Sequence, residues 1–260
     1  MQTMTDSIRN SGVLDIRDRL SFISGGRVLD VGTQQGRFIT VMMKFMESYE
    51  SFVGIDISEA VLEKAREAIT EDFVEFKLMN AEELSFEDEY FDTVCISHSL
   101  HHLDSIDNVL GEMRRVLKAG GHLILQEIFS DDDQSDAQQT EILTHHLDAR
   151  MDRIEGTPHF DTLSRRQIKD IVNGLGMSAV EVFETAWGLN CLDCDVAEQC
   201  EDPKSEYNMK HGREEIEDIL KRAQDQPGTD GIQQEAKLLL DRLERTGYQS
   251  ASLLFFVCKK

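Results

Sequence analysis

Between Arg27 and Ile128, five short β-branched or apolar runs alternate with stretches of helical period, and this alternation restricts the fold more than any other feature. The runs Arg27 to Val31, Ser51 to Asp56, Val74 to Leu78, Thr93 to Ser97 and His122 to Ile128 read as buried strands. Between them, Phe38 to Tyr49 carries apolar residues at helical spacing, and Ser58 is placed to cap a helix running to about Ile69. Ile106 to Leu117 repeats at helical period and is expected to stop at the glycine end Ala119-Gly120-Gly121. Strands separated by helices pair in parallel through right-handed crossovers, so the expected class is α/β with an open, mostly parallel sheet.

Later segments break the rhythm. Arg165 to Leu175 reads as a helix, Ala179 to Phe183 as a strand, and Ala251 to Lys259 as a last strand rich in aromatic and β-branched residues. Roughly 65 residues separate those two strands, with charged helical stretches at Met209 to Gln224 and Gly231 to Arg245. That length is too great for a plain connection, so a helical insertion is expected before the last strand. The expected organisation is a helical lead-in over 1–26, a core over 27–186, a cysteine-containing insertion over 187–247 and the final strand of the core over 248–260.

Lys and Arg number 27 against 50 Asp and Glu, and the net charge of −23 disfavours a nucleic-acid partner. The basic pairs Arg114-Arg115 and Arg165-Arg166 read as solvated helix charges. With no export leader at Met1 to Asp6 and no apolar run of membrane-spanning length, the expected location is cytoplasmic, without a membrane partner. A monomer or homodimer is expected. Five cysteines, an odd number in such a chain, argue for reduced thiols or metal ligands over disulfides.

The first strand ends in Asp30-Val31-Gly32-Thr33-Gln34-Gln35-Gly36, a short glycine-flanked loop before a helix. Glycines admit a ligand close to the backbone, and a helix start offers unpaired N–H groups. Asp30 would repel a phosphate there but suits a ligand bearing an ammonium. The second strand ends in Asp56, about 26 residues later, followed by Ile57. A carboxylate at that sheet edge can accept both hydroxyls of a ribose. These blocks resemble the class I S-adenosylmethionine-dependent methyltransferases, especially the small-molecule, quinone-biosynthesis-like branch. The resemblance runs from about Arg27 to Val182 and takes in the last strand.

In that family's first motif an acid is followed by three alternating glycines. Here Gly32 and Gly36 match, and Gln34 stands at the middle glycine. Asp56 matches the ribose-binding acid, and Asn80-Ala81-Glu82 is similar to the motif that meets the adenine, commonly opened by Asp. Tyr90 to Val94 leading into Ser97-His98-Ser99-Leu100-His101-His102 resembles the fourth-strand motif, and Arg114 to Gly121 the turn before strand five. The resemblance implies a Rossmann-like fold, S-adenosylmethionine as cofactor, and methyl transfer to a small-molecule acceptor. It also implies cofactor contacts at Asp30, Gly32, Thr33, Gly36, Asp56, Ile57, Asn80, Ala81, Glu82 and Ser97.

Methyl transfer from a sulfonium is an in-line displacement that needs a base only where the acceptor must lose a proton. His98 and His102, just past strand four, are candidate bases, with structural roles as the alternative. His146 and His159 are further acid–base candidates in the segment from about Gln138 to Phe160, which is expected to roof the acceptor. Cys191, Cys194 and Cys200 lie within ten residues, and the spacing of the first two lets both sulfurs face one zinc or other soft metal ion. Reduced, unliganded thiols and a thiol relay for a soft substrate stay open beside it. A nicotinamide-dependent oxidoreductase would want the full glycine triplet. A non-catalytic cofactor- or metal-binding module on the same fold is the remaining alternative.

Overall fold

A computed structural model describes residues 15–131, 134–185 and 197–260. The chain divides into two compact units, residues 1–127, 166–185 and 254–260 in the first and 128–165 and 186–253 in the second. The first unit carries a seven-stranded sheet in the order β3-β2-β1-β4-β5-β7-β6. Its strands are β1 (Arg27–Val31), β2 (Ser51–Asp56), β3 (Val74–Leu78), β4 (Phe91–Ser97), β5 (Leu117–Ile128), β6 (Ala179–Thr185) and β7 (Leu253–Lys259). The flanking helices are α1 (15–20), α2 (Arg37–Phe45), α3 (Glu59–Ala68), α4 (Ile106–Val116) and α6 (Arg165–Gly174).

The pairs β1–β2, β2–β3, β1–β4 and β4–β5 are parallel. At the far edge, Gly120 N donates to Lys260 O and Lys260 N to Gly121 O, which joins the start of β5 to the end of β7. That pairing requires β7 to run against β5, so the sheet is mostly parallel with one reversed strand. From β1 the chain builds outward to β2 and β3, then returns to lay β4 on the other side of β1. The crevice at the carboxyl ends of β1 and β4 is therefore the topological switch point, where open α/β sheets bind ligands.

Two expected boundaries need correction. The helix predicted to end at Ala119-Gly120-Gly121 stops at Val116, and Leu117 already has extended backbone. Gly120 and Gly121 belong to β5 instead. A Cβ on Gly121 would lie 2.7 Å from the Asp92 carbonyl oxygen, so Gly121 serves a close strand approach beside the β4–β5 irregularity at Phe91/Thr93, while Gly120 takes a left-handed φ of 75°. The helix read from Phe38 to Tyr49 also ends early. Met46 turns to extended backbone although its side chain is buried.

The second unit is helical, with α5 (Asp136–Glu155), α7 (Ala197–Glu201), α8 (Glu206–Gln224) and α9 (Asp230–Thr246). Ile216, Ile219 and Ala223 of α8 pack with Ile232, Ala236, Leu239 and Leu243 of α9 and with Leu147 and Met151 of α5. The three-and-four spacing places one apolar stripe per helix against a shared core. Ser135 starts α5 with a capping box, accepting from Gln138 N while the Gln138 side chain accepts from Ser135 N. No described helix is long and apolar enough to cross a membrane.

Gly212 is the tight point of this bundle, since a Cβ there would lie 2.4 Å from the Tyr248 ring. Replacing Gly212 by Ala is expected to destabilise the second unit by about 1–3 kcal/mol, the usual cost of overpacking, despite the better helix propensity of Ala. Denaturant unfolding followed by circular dichroism measures this. An unchanged midpoint would show that Tyr248 moves aside at no cost.

Candidate active site

Asp30 is the centre of the first unit's switch point. It lies on β1 level with Gly54 of β2 and Cys95 of β4, and is 1% exposed. Thr33 Oγ1 donates to one carboxylate oxygen at 2.7 Å, and the Cys95 thiol approaches the other at 3.6 Å. Burial pushes the Asp30 carboxyl up to about 7 against the pull of those two hydrogen bonds, and the Asp56 charge adds to the rise. It is thus a carboxyl poised to ionise near neutrality.

The loop after it is held from two sides. Thr33 N donates to Ile55 O at 2.9 Å, and Gly36 N to Thr33 O at 2.8 Å. Gln34 N donates to Asp56 Oδ2 at 3.0 Å, while Ser58 N donates to Asp56 Oδ1 at 2.9 Å. Gln34 takes a left-handed φ of 47°, the conformation a glycine would adopt freely, so the middle position keeps its backbone path without the glycine. Gly32 is also left-handed, and a Cβ there would meet Ser99 Oγ at 2.7 Å, which brings this loop against the turn after β4.

Around Asp56 the edge is open. Ile57 is 76% exposed. Met79 N donates to Asp56 O, which brings the Asn80-Ala81-Glu82 turn to the end of β2. Asn80 Oδ1 accepts from Glu82 N at 3.0 Å and closes that turn. The structure thus gathers Asp30, Gly32, Thr33, Gly36, Asp56, Ile57, Asn80, Ala81, Glu82 and Ser97 along the carboxyl edge of β1, β2, β3 and β4.

His98 follows Ser97 with a left-handed φ of 48°. Its backbone N donates to Gln126 O at 2.9 Å, and its ring Nε2 lies 2.6 Å from Gln126 Nε2. With the amide NH2 donating, that lone pair is used and the ring proton sits on Nδ1. Burial holds His98 below the usual histidine range, with Arg37 and His101 adding to the fall and Glu127 opposing it. His102 N donates to Ser99 O, and its ring centroid is 4.4 Å from that of His101.

Beside them lies a buried pair, Glu127 and His101, to which the sequence pattern alone assigns no role. Glu127 is fully buried, accepting from Leu100 N at 2.8 Å and bonding His101 Nδ1 at 2.9 Å. Burial pushes its carboxyl up, but the hydrogen bonds from His101 and Leu100 outweigh that and hold it below the usual glutamate range. A Glu beside Gln at the end of an apolar strand was the available signal, since a buried strand seldom spends two positions on polar groups without a site to serve.

His146 and His159 belong to the second unit. His146 Nε2 bonds Thr162 Oγ1 at 2.8 Å, and His159 bonds Asp152 through Nδ1 at 2.7 Å and His145 through Nε2 at 3.2 Å. Arg222 bridges Asp148, Asp152 and Glu155 in the same unit, so the carboxylates nearest His159 already have a cation. Cys191 and Cys194 lie outside the described residues. Cys200 is on α7, half-buried, with its carbonyl accepting from Asn208 Nδ2 and Gln249 Nε2 at 3.2 Å each.

Residues 29–125 match a family described as a methyltransferase domain. Among curated proteins, the demethylmenaquinone methyltransferase of Bacteroides fragilis is 33% identical over 110 residues, 41% of this chain and 44% of that protein. The chain thus spans less than half the length of that relative. Among solved structures, the [4+2]-cyclase SpnF has a TM-score of 0.58 at 19% identity, covering 94% of this chain and 78% of that one. Phosphoethanolamine N-methyltransferase 2 of Haemonchus contortus, in complex with S-adenosyl-L-methionine, has a TM-score of 0.56 at 20% identity, covering 96% and 52%. At such identities the two structures establish a shared fold.

Proposed function

Because the chain belongs to the class I S-adenosylmethionine-dependent methyltransferases of the quinone-biosynthesis-like type, we propose that it transfers a methyl group to a small-molecule acceptor at the β1–β4 crevice. One observation carries the reading. The Asp56 carboxylate, fixed by two backbone amides, stands at the end of β2 beside the exposed Ile57 side chain and the Asn80 turn.

The residues present fit the donor. At Gly32 the backbone takes a left-handed path where a Cβ would fill the space beside Ser99. The Asp56 oxygens keep lone pairs for the ribose hydroxyls after accepting from Gln34 and Ser58. Ile57 offers an apolar surface for the adenine, and the Asn80 amide a hydrogen-bonding group for its edge. Asp30, ionising near neutrality, supplies negative potential at the positively charged end. Bound there, S-adenosylmethionine supplies an electrophilic methyl carried on a sulfonium.

The chain's own contribution is positioning. A fixed loop and a pre-formed carboxylate hold the donor in line, which can account for much of the rate of a displacement that involves no charge separation in the protein. The His98 Nε2 lone pair is taken up by Gln126, so His98 reads as a hydrogen-bonding residue rather than a base. His102 stays assigned to proton transfer only for acceptors that must lose a proton. Zinc at Cys191, Cys194 and Cys200 would be a brace for the second unit, tested by elemental analysis of protein purified without chelators.

The test is incubation with donor labelled in its methyl group and a panel of quinols, phenols and amines. Label should move to an acceptor, with S-adenosylhomocysteine released in equal amount. Tight binding of the donor with no transfer across the panel would favour the non-catalytic binding module instead.

A further inference from the structure

Two departures from ordinary packing meet at the carboxyl ends of β4 and β5. Gln126 is 5% exposed, yet its Oε1 has no hydrogen-bond partner among the described residues. An unpaired buried acceptor is costly and rare in folded proteins. His98, which receives the other end of that amide, is held at a left-handed φ of 48°, a strained conformation for a non-glycine residue. The two are tied twice, through His98 N to Gln126 O and through the side chains. The side-chain bond sets the amide NH2 against the His98 ring, which leaves Oε1 on the side of the amide away from that bond.

Nothing in the fold calls for this polarity. β5 is apolar from Leu123 to Leu125, and a Leu or Met at 126 would extend that run and remove the orphan oxygen, giving up only the bond to His98 Nε2. Gln126 pairs with Ser97 across the β4–β5 register, at the edge of the sheet where ligands bind. Strain and an unsatisfied buried group that occur together mark a place where stability has been given up for function.

We propose that Gln126 Oε1, steadied by His98, is the recognition point for an N–H or O–H group on the methyl acceptor, which makes the substrate a hydroxyl or amine compound. This rests on the methyltransferase reading of the same crevice. His98 is a positioning residue here. Its Nε2 anchors the amide NH2, which turns Oε1 away from His98 and leaves it for the substrate's donor group. The opposite amide orientation would make the NH2 the orphan and would select a ligand that only accepts.

The experiment compares matched fragments on the full-length protein, with and without S-adenosylhomocysteine. Phenol and benzylamine carry a donor, whereas anisole and toluene do not. Binding is read from the 15N shift of the His98 ring. Donor fragments are expected to bind about 10-fold tighter than their partners, as for a site left with an unpaired acceptor when the donor is missing. Gln126→Met should abolish that preference, and Gln126→Glu, which keeps an oxygen in place, should retain it should the Met variant fold poorly. Equal binding of all four fragments, tighter binding of anisole, or an unshifted His98 ring would overturn the proposal. Failure of the native protein to bind S-adenosylhomocysteine would overturn the methyltransferase reading instead, and the fragment series without it would still report on Gln126.

Discussion

Replacing Asp30 by Asn is expected to raise stability at pH 8 by on the order of 3 kcal/mol and to leave it unchanged near pH 4. Asp30 sits in the sheet interior with its carboxyl pushed up to about 7, whereas in the unfolded chain it titrates at the ordinary aspartate value of 3.8. Between those values the folded protein binds more protons than the unfolded one, so stability falls as pH rises through this window and levels off above it. Asn at 30 keeps a carbonyl oxygen for the Thr33 hydroxyl and removes the charge. Other shifted carboxyls, such as Glu141 at about 8, act equally in both proteins and cancel in the difference. Urea unfolding of the pair at pH 4 and pH 8 measures it, and parallel curves across the range would refute a buried carboxyl of this kind. The same substitution should cost function. Calorimetry in buffers of different ionisation enthalpy should show proton release on donor binding at pH 7 in the native chain and less in Asp30→Asn, because a cation at the site draws the carboxyl into its ionised form.

The parallel sheet was legible because each of its central strands is covered on both faces and so appears as a short unbroken apolar run. Asp30 and Asp56 were legible for the opposite reason. A carboxylate at the end of such a run has to be explained by a ligand or a cap. What the sequence concealed was polarity spent inside. α5 buries Gln138, Thr140 and Thr144 together with Leu147 and Met151, so its apolar stripe is interrupted and no helical period stood out. The Thr hydroxyls answer to backbone carbonyls one turn back and the Gln138 amide to Ser250 O and Ser252 Oγ, contacts that no local pattern announces. Partly for that reason the sequence pattern points to a separate helical insertion before the last strand. In the structure α8 and α9 share a core with α5, and the second unit begins at Ile128. Glu127 escaped attention likewise, because its partners, Leu100 N and the His101 ring, are more than 25 positions away in the chain.

Asp56→Ala is expected to weaken donor binding by about 1.5–3 kcal/mol, roughly a 10- to 150-fold rise in Kd, with a smaller loss of stability. Two effects combine. The carboxylate that would accept the ribose hydroxyls is gone, and the amides of Gln34 and Ser58 lose the acceptor that ties the glycine loop to β2. The second effect matters because Gln34 holds a left-handed φ of 47° that an untethered non-glycine residue would leave. Asp56→Asn separates the two. Asn retains an oxygen and hence one of the two backbone bonds, but lacks the fork that accepts two hydroxyls at once, so affinity should fall by about 1.5 kcal/mol or more while the unfolding midpoint stays near that of the native chain. Adding Gln34→Gly to Asp56→Ala should recover stability, since glycine reaches the same φ without strain, and should leave the affinity loss in place. Isothermal titration with S-adenosylhomocysteine on the four proteins decides the matter. Native-like affinity in Asp56→Ala would remove Asp56 from the donor site, and recovery of affinity in the double variant would assign its role to loop geometry alone.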